Sequence, residues 1–217
     1  MEDVEAIMRK YDRESNTRIW EGWQKIVVDI IMAAFSLYCI ISTLTTRAAI
    51  EVRLTAFMGC IIVLGFLTYP ASKKHVKVNS LPWYDIVLMV LGAAAFFYYC
   101  FTYDTLSVEL TSPIRMTMTY NIIGIIGLLV LAELCRRCVG LPILCVAGAL
   151  LIYTFSAGIP FDRFIYTIFY SVNGILATPV NVCAKFIVVF IIFGAFLGRT
   201  GIAHFFIDLA NCVAGSA

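Results

Sequence analysis

Six stretches of about twenty apolar residues, each closed by a charged or proline-bearing loop, limit what this chain can fold into. A helix of about 20 residues crosses the ~30 Å hydrocarbon layer of a bilayer, and lipid offers no hydrogen-bond partner to an open sheet edge. The stretches are residues 26–44, 49–69, 86–101, 116–134, 138–157 and 180–198. The expected fold class is therefore all-α, a polytopic membrane protein of about six transmembrane helices. Composition bears on the solvent: 61% of the 217 residues are hydrophobic and only 14% are charged. A soluble domain carries roughly a quarter charged residues.

Charge placement gives orientation. Residues 1–25 form a polar tail with Arg9, Lys10, Arg13, Arg18 and Lys25 and no apolar core, so they are no cleavable signal peptide. The first span is a retained anchor, with Trp20 and Trp23 ahead of it at the interface. With the amino terminus cytoplasmic, only Arg47, Arg53, Arg115, Arg163 and Lys185 of the 16 Lys and Arg residues fall on the outer side. The excess of inner positive charge predicts that orientation. Lys185, in the first turns of the sixth span, snorkels to the headgroups. Asp85, after Leu81-Pro82-Trp83-Tyr84, is expected to cap the third span at the interface, with Tyr98, Tyr99 and Tyr103 at its far side. A net charge of +2 gives no basis for binding nucleic acid.

One segment has a different pattern. Phe161, Phe164, Ile165, Ile168, Phe169, Val172 and Leu176 recur at helical spacing, opposed by Asp162, Arg163, Thr167, Ser171 and Asn173. This predicts an amphipathic helix over Phe161–Thr178, bounded by Pro160 and Pro179. It would lie in the interface plane, or alternatively pack half-exposed on its neighbours. Phe205–Ala214 reads as the start of a further helix.

Reactive constellations are scarce. No metalloprotease helix, nucleophile elbow or phosphate loop is present. His75 and His204 stand far apart without a Cys or carboxylate cluster, so no catalytic or metal site is assigned. Of eight cysteines, most sit singly in apolar runs, where a free thiol is a small hydrophobe. Cys135-Arg136-Arg137-Cys138 is the exception, a C-x-x-C whose arginines would favour thiolate. It keeps a membrane thiol oxidoreductase open as a rival, although its predicted cytoplasmic side does not favour disulfides. Glu133 precedes Arg136 and Arg137 by three and four residues, which reads as a self-neutralising membrane boundary. Asp29 lies one turn into the first span, four residues from Lys25. Gly194, Gly198 and Gly201 form a small-xxx-small surface for helix packing, and Gly92, Gly124 and Gly127 offer similar ones.

Three strings carry a family resemblance. Ala132-Glu-Leu-Cys-Arg-Arg-Cys-Val-Gly-Leu-Pro-Ile-Leu resembles the linking segment of TRAP transporter fused permeases of the 4TM/12TM, TAXI type. Trp83-Tyr84-Asp85 is similar to the start of that family's third helix. Phe193-Gly194-Ala195-Phe196-Leu197, with Gly201 and Phe205-Phe206-Ile207-Asp208-Leu209-Ala210, is similar to its later motif. Asn173-Gly174 stands where the family commonly has Glu-Gly, and His204 where it has an acidic or small residue.

The resemblance implies a tripartite, ATP-independent importer in the bacterial inner membrane. An extracytoplasmic solute-binding protein would deliver a small organic anion, most simply a carboxylate, and a cation gradient, usually sodium, would drive it. Residues 1–25 would be the cytoplasmic tail, 26–134 a four-span small-subunit (Q-type) unit, and 135–217 the start of the large (M-type) transport subunit. The family's Gly-rich hairpins, which are implied to hold solute and ions, would begin just after Ala217. No cofactor is expected, the sodium site is expected outside these residues, and no substrate role falls on any residue here. The expected partners are the solute-binding protein, the remainder of the large subunit and the lipid bilayer. Arg47, Arg53, Asp104, Glu109 and Arg115, in and beside the outer loops, are the candidate docking residues. A stand-alone membrane scaffold or assembly protein is the other alternative.

Overall fold

The computed structural model describes residues 17–18, 20–45, 48–71, 81–109 and 118–214. They form α1 (Trp23–Leu44), α2 (Ile50–Thr68), α3 (Trp83–Glu109), α4 (Met118–Cys138) and α5 (Leu141–Ser156). Next comes α6 (Phe161–Ile165), extended by a π-helical turn at Tyr166–Tyr170. Then come α7 (Thr178–Thr200), π-helical over Cys183–Ile187, and α8 (Ile202–Ala214). No strand occurs among the described residues. The fold is that of an all-α polytopic membrane protein: α1–α4 and α7 are each long and apolar enough to cross a membrane.

The fifth predicted span differs. α5 has 16 residues, about 24 Å of helix, which falls short of the hydrocarbon thickness. The shortening arises at its start, because α4 stays helical through Cys135–Cys138. The chain then turns at Val139 and Gly140, whose N–H groups both donate to the Cys135 carbonyl at 2.9 and 3.3 Å. Gly140 has φ 105°, a region that disfavours any side chain. Pro142 follows in the first turn of α5, where its missing N–H costs nothing.

The core is built around α2. Leu54, Phe57, Ile62 and Phe66 are almost wholly enclosed, and half of the α2 span is buried against 6% of the α7 span. α3 contributes Ala95 and Phe96, and α4 contributes Val130 and Leu134. Lipid supplies little hydrophobic force between apolar helices, so their association depends on close packing. Glycines provide it: a β-carbon at Gly65 would strike Leu134, and one at Gly92 would strike Val130 and Ile62.

Over 161–178 the structure corrects the periodicity. The helix ends at Tyr170, and its apolar side is buried in the bundle, with Phe164, Ile165, Phe169 and Tyr170 all enclosed. The Phe169 ring lies 4.9 Å from that of Phe96 and covers Gly127, while Ile165 covers Gly124. The side-chain-free strip on α4 accepts this face more closely than lipid could. The chain then turns back: Ile175 N–H donates to the Ile168 carbonyl at 2.9 Å, and Gly174 sits against the Thr167 and Ile168 carbonyls where no side chain fits. Of the two expected placements, packing on neighbouring helices is the one found.

Candidate functional site

Three helix ends meet at one end of the bundle: the carboxyl ends of α2 and α4 and the amino end of α3. Helix dipoles make the first two partially negative and the third partially positive. The side chains complement them, with Arg136 and Arg137 in the last turn of α4 and Asp85 in the first turn of α3. The spare carbonyls of α2 are claimed from outside. Arg18 N–H donates to Thr68 O at 2.8 Å, Trp20 Nε1 to Leu67 O at 3.3 Å, and Arg137 Nη1 to Tyr69 O at 3.4 Å. Arg18 and Trp20, assigned by sequence to the tail and to the interface ahead of the first span, thus hold the end of α2.

At the centre is Asp85, whose side chain is fully enclosed. One carboxylate oxygen is ion-paired with Arg18, and the other accepts from Arg137 Nη2 at 2.7 Å. Arg137 also donates through Nε to Glu133 at 2.9 Å, and its guanidinium lies 4.7 Å from the centroid of the Phe66 ring. Arg136 binds Glu133 through two 2.7 Å hydrogen bonds, at the more exposed edge. One expectation is corrected: Asp85 is enclosed in the bundle rather than capping α3 at the interface. Arg137 pairs with Glu133 as the i,i+4 spacing predicts, and its side chain, only 1% exposed, reaches Asp85 as well. Each is drawn inward by the other, since a buried ion needs a bonded counter-ion.

The arginines of the C-x-x-C are therefore already engaged with Glu133 and Asp85. Their charge is largely matched by carboxylates rather than left to favour a thiolate. Cys135 and Cys138 are both free thiols. Arginine also stays protonated throughout the neutral range. Chemically the cluster holds the helix ends together.

A second polar cluster joins α3, α4 and α6. Asn121 Nδ2 donates to Asp162 at 2.6 Å, Tyr170 OH to the Tyr120 carbonyl at 2.8 Å, and Tyr99 OH to the Tyr170 carbonyl at 2.9 Å. Burial pushes the Tyr170 phenol up, which keeps it a donor. Tyr99, expected at the interface, is instead buried where its hydroxyl finds that carbonyl.

The remaining candidate residues are dispersed. Arg53, in the first turn of α2, is 7% exposed and so offers little charge to an approaching protein. Asp104 is exposed near the end of α3. Arg47 and Arg115 lie outside the described residues, as do the Lys73, Lys74 and Lys77 loop and the side chains of Glu109 and His204. A β-carbon at Gly194 or Gly198 would meet no neighbouring element within 4 Å, and Gly201, at φ 75°, ends α7. The tight glycine contacts between helices are those of Gly65, Gly92, Gly124 and Gly127. Asp29 is exposed on α1 and forms no ion pair with Lys25.

Residues 125–217 match the family model described as tripartite ATP-independent periplasmic transporter, DctM component. The match starts within α4 and takes in α5 to α8. No curated protein and no solved structure matches the chain.

Proposed function

We propose that this chain is a membrane component of a tripartite, ATP-independent, binding-protein-dependent transporter that imports a small organic anion, a carboxylate, on a cation gradient. The observation that carries the reading is the DctM match over residues 125–217, laid on a bundle with five helices of membrane-crossing length. Residues 26–134 act as the small-subunit-like part and 135–217 as the beginning of the large-subunit part. The packing supports a single fused unit. Phe169 and Tyr170 of the matched segment lie in the same core as Phe96 and Tyr99 of α3, outside the match. Arg137, inside the match, is held by Asp85.

In this reading the bundle braces the moving transport machinery in a bacterial inner membrane, amino terminus inside. The outer loops around Arg47, Asp104, Glu109 and Arg115 receive the solute-binding protein.

The test is an add-back experiment. Spheroplasts washed free of soluble extracytoplasmic proteins are assayed for uptake of a panel of radiolabelled carboxylates, with and without the concentrated wash. Uptake that depends on both this chain and the wash is expected. Chain-dependent uptake that ignores the wash would contradict the reading.

A further inference from the structure

Between α1 and α7 lies a groove of about 310 Å³, lined by Thr43, Lys185, Phe186, Val189, Phe190 and Phe193. Four of the six lining residues are large and apolar, and Phe186, Phe190 and Phe193 are 57%, 71% and 55% exposed. They belong to the most apolar span of the molecule, with mean hydropathy 2.4. A groove walled this way opens onto lipid. Its one ionic group is Lys185, which has no ion-pair partner among the described residues. Thr43 donates its hydroxyl to the Cys39 carbonyl at 2.8 Å, leaving the oxygen as an acceptor only.

Depth and charge narrow the occupant. Thr43 is the penultimate residue of α1, so the groove reaches a helix end, where headgroups begin. Asp29 stands fourteen residues earlier on α1, about 21 Å along the helix axis, too far to neutralise Lys185. The π-helical turn Cys183–Ile187 carries Lys185, and such turns often occur where a helix serves a site. The lysine stem can lie along the apolar wall with its ammonium toward the headgroup plane. A cation at the mouth of an apolar trough complements an anionic phosphate with an acyl chain behind it.

We propose that this groove holds an anionic phospholipid, its headgroup phosphate on the Lys185 ammonium and one acyl chain along Phe186, Val189, Phe190 and Phe193. One basic residue at a membrane surface confers a preference of about fivefold for an anionic lipid. The site would thereby seal α7 against α1, independently of which solute the protein handles.

The test uses the full-length protein with Phe190→Trp as reporter, in vesicles of phosphatidylcholine containing a few per cent dibrominated lipid. Dibrominated phosphatidylglycerol should quench the groove tryptophan about fivefold more effectively than dibrominated phosphatidylcholine. Lys185→Gln should erase the difference and Lys185→Arg should retain it. Equal quenching by both lipids, or a preference that survives Lys185→Gln, overturns the proposal. Should the reporter variant fail to fold, native mass spectrometry of the unmodified protein reads the same contrast. Phosphatidylglycerol retained over phosphatidylcholine by the wild type, and lost in Lys185→Gln, supports the site; retention equal in both proteins overturns it.

Discussion

Asp85 is the residue on which the most structure converges, since Arg18 and Arg137 both end on its carboxylate inside the protein. Asp85→Ala would leave two enclosed guanidinium groups facing one another, at a cost of about 3–5 kcal/mol. We expect a correspondingly lower unfolding midpoint in detergent. Adding Arg18→Ala should then cost less than it does in the wild type, the mark of coupled groups. Arg136→Ala should lose at most about 1 kcal/mol by the same assay, because its pair with Glu133 is half-exposed. The i,i+3 and i,i+4 pairing of Glu133 with both arginines was legible in the sequence, being set by helix geometry. Asp85's partners were not. They lie 67 and 52 residues away, and no local spacing rule reaches that far. What the sequence did show was an acid in the first turn of a helix, read as an interfacial cap, and two arginines in the last turn of another, read as boundary charges neutralised by Glu133.

At the scale of elements, the long apolar helices could be read closely because lipid imposes their length. α1, α2 and α4 begin or end within a few residues of the periodicity. The segment after Pro160 could not, because its pattern has two physical solutions. An apolar face at helical period can meet lipid or meet another helix, and the choice depends on what the partner offers. Here α4 offers Gly124 and Gly127, which admit Ile165 and Phe169 to within contact. Gly127→Leu should displace Phe169 and destabilise the protein by about 1–3 kcal/mol, the usual cost of overpacking. It should also expose residues 161–177 to proteolysis in detergent. Gly198→Leu, where a β-carbon would meet nothing within 4 Å, should shift the same midpoint by less than about 0.5 kcal/mol. A reversed order of these two variants would refute the packing argument.

On the scale of the whole molecule, the helical membrane class followed from composition and run length, and the DctM match agrees with the resemblance carried by the sequence after Ala132. How the segment before the match packs on the matched one was not legible, since it rests on the buried ion pairs and on the α6 contacts. If the outer loops receive a binding protein, Arg115→Glu should lower binding-protein-stimulated uptake severalfold. It should leave membrane levels of the protein intact, as expected of a rim charge that guides docking.

The measurement that tests the central claim most directly is gradient-driven uptake in inverted-free, right-side-out membrane vesicles. Vesicles are prepared with and without this chain, supplied with the extracytoplasmic fraction, and given an imposed sodium gradient without ATP. The account predicts accumulation of a labelled carboxylate only where the chain is present, and collapse of that accumulation when the gradient is dissipated. Equal accumulation in both preparations, or accumulation that requires ATP, would contradict it.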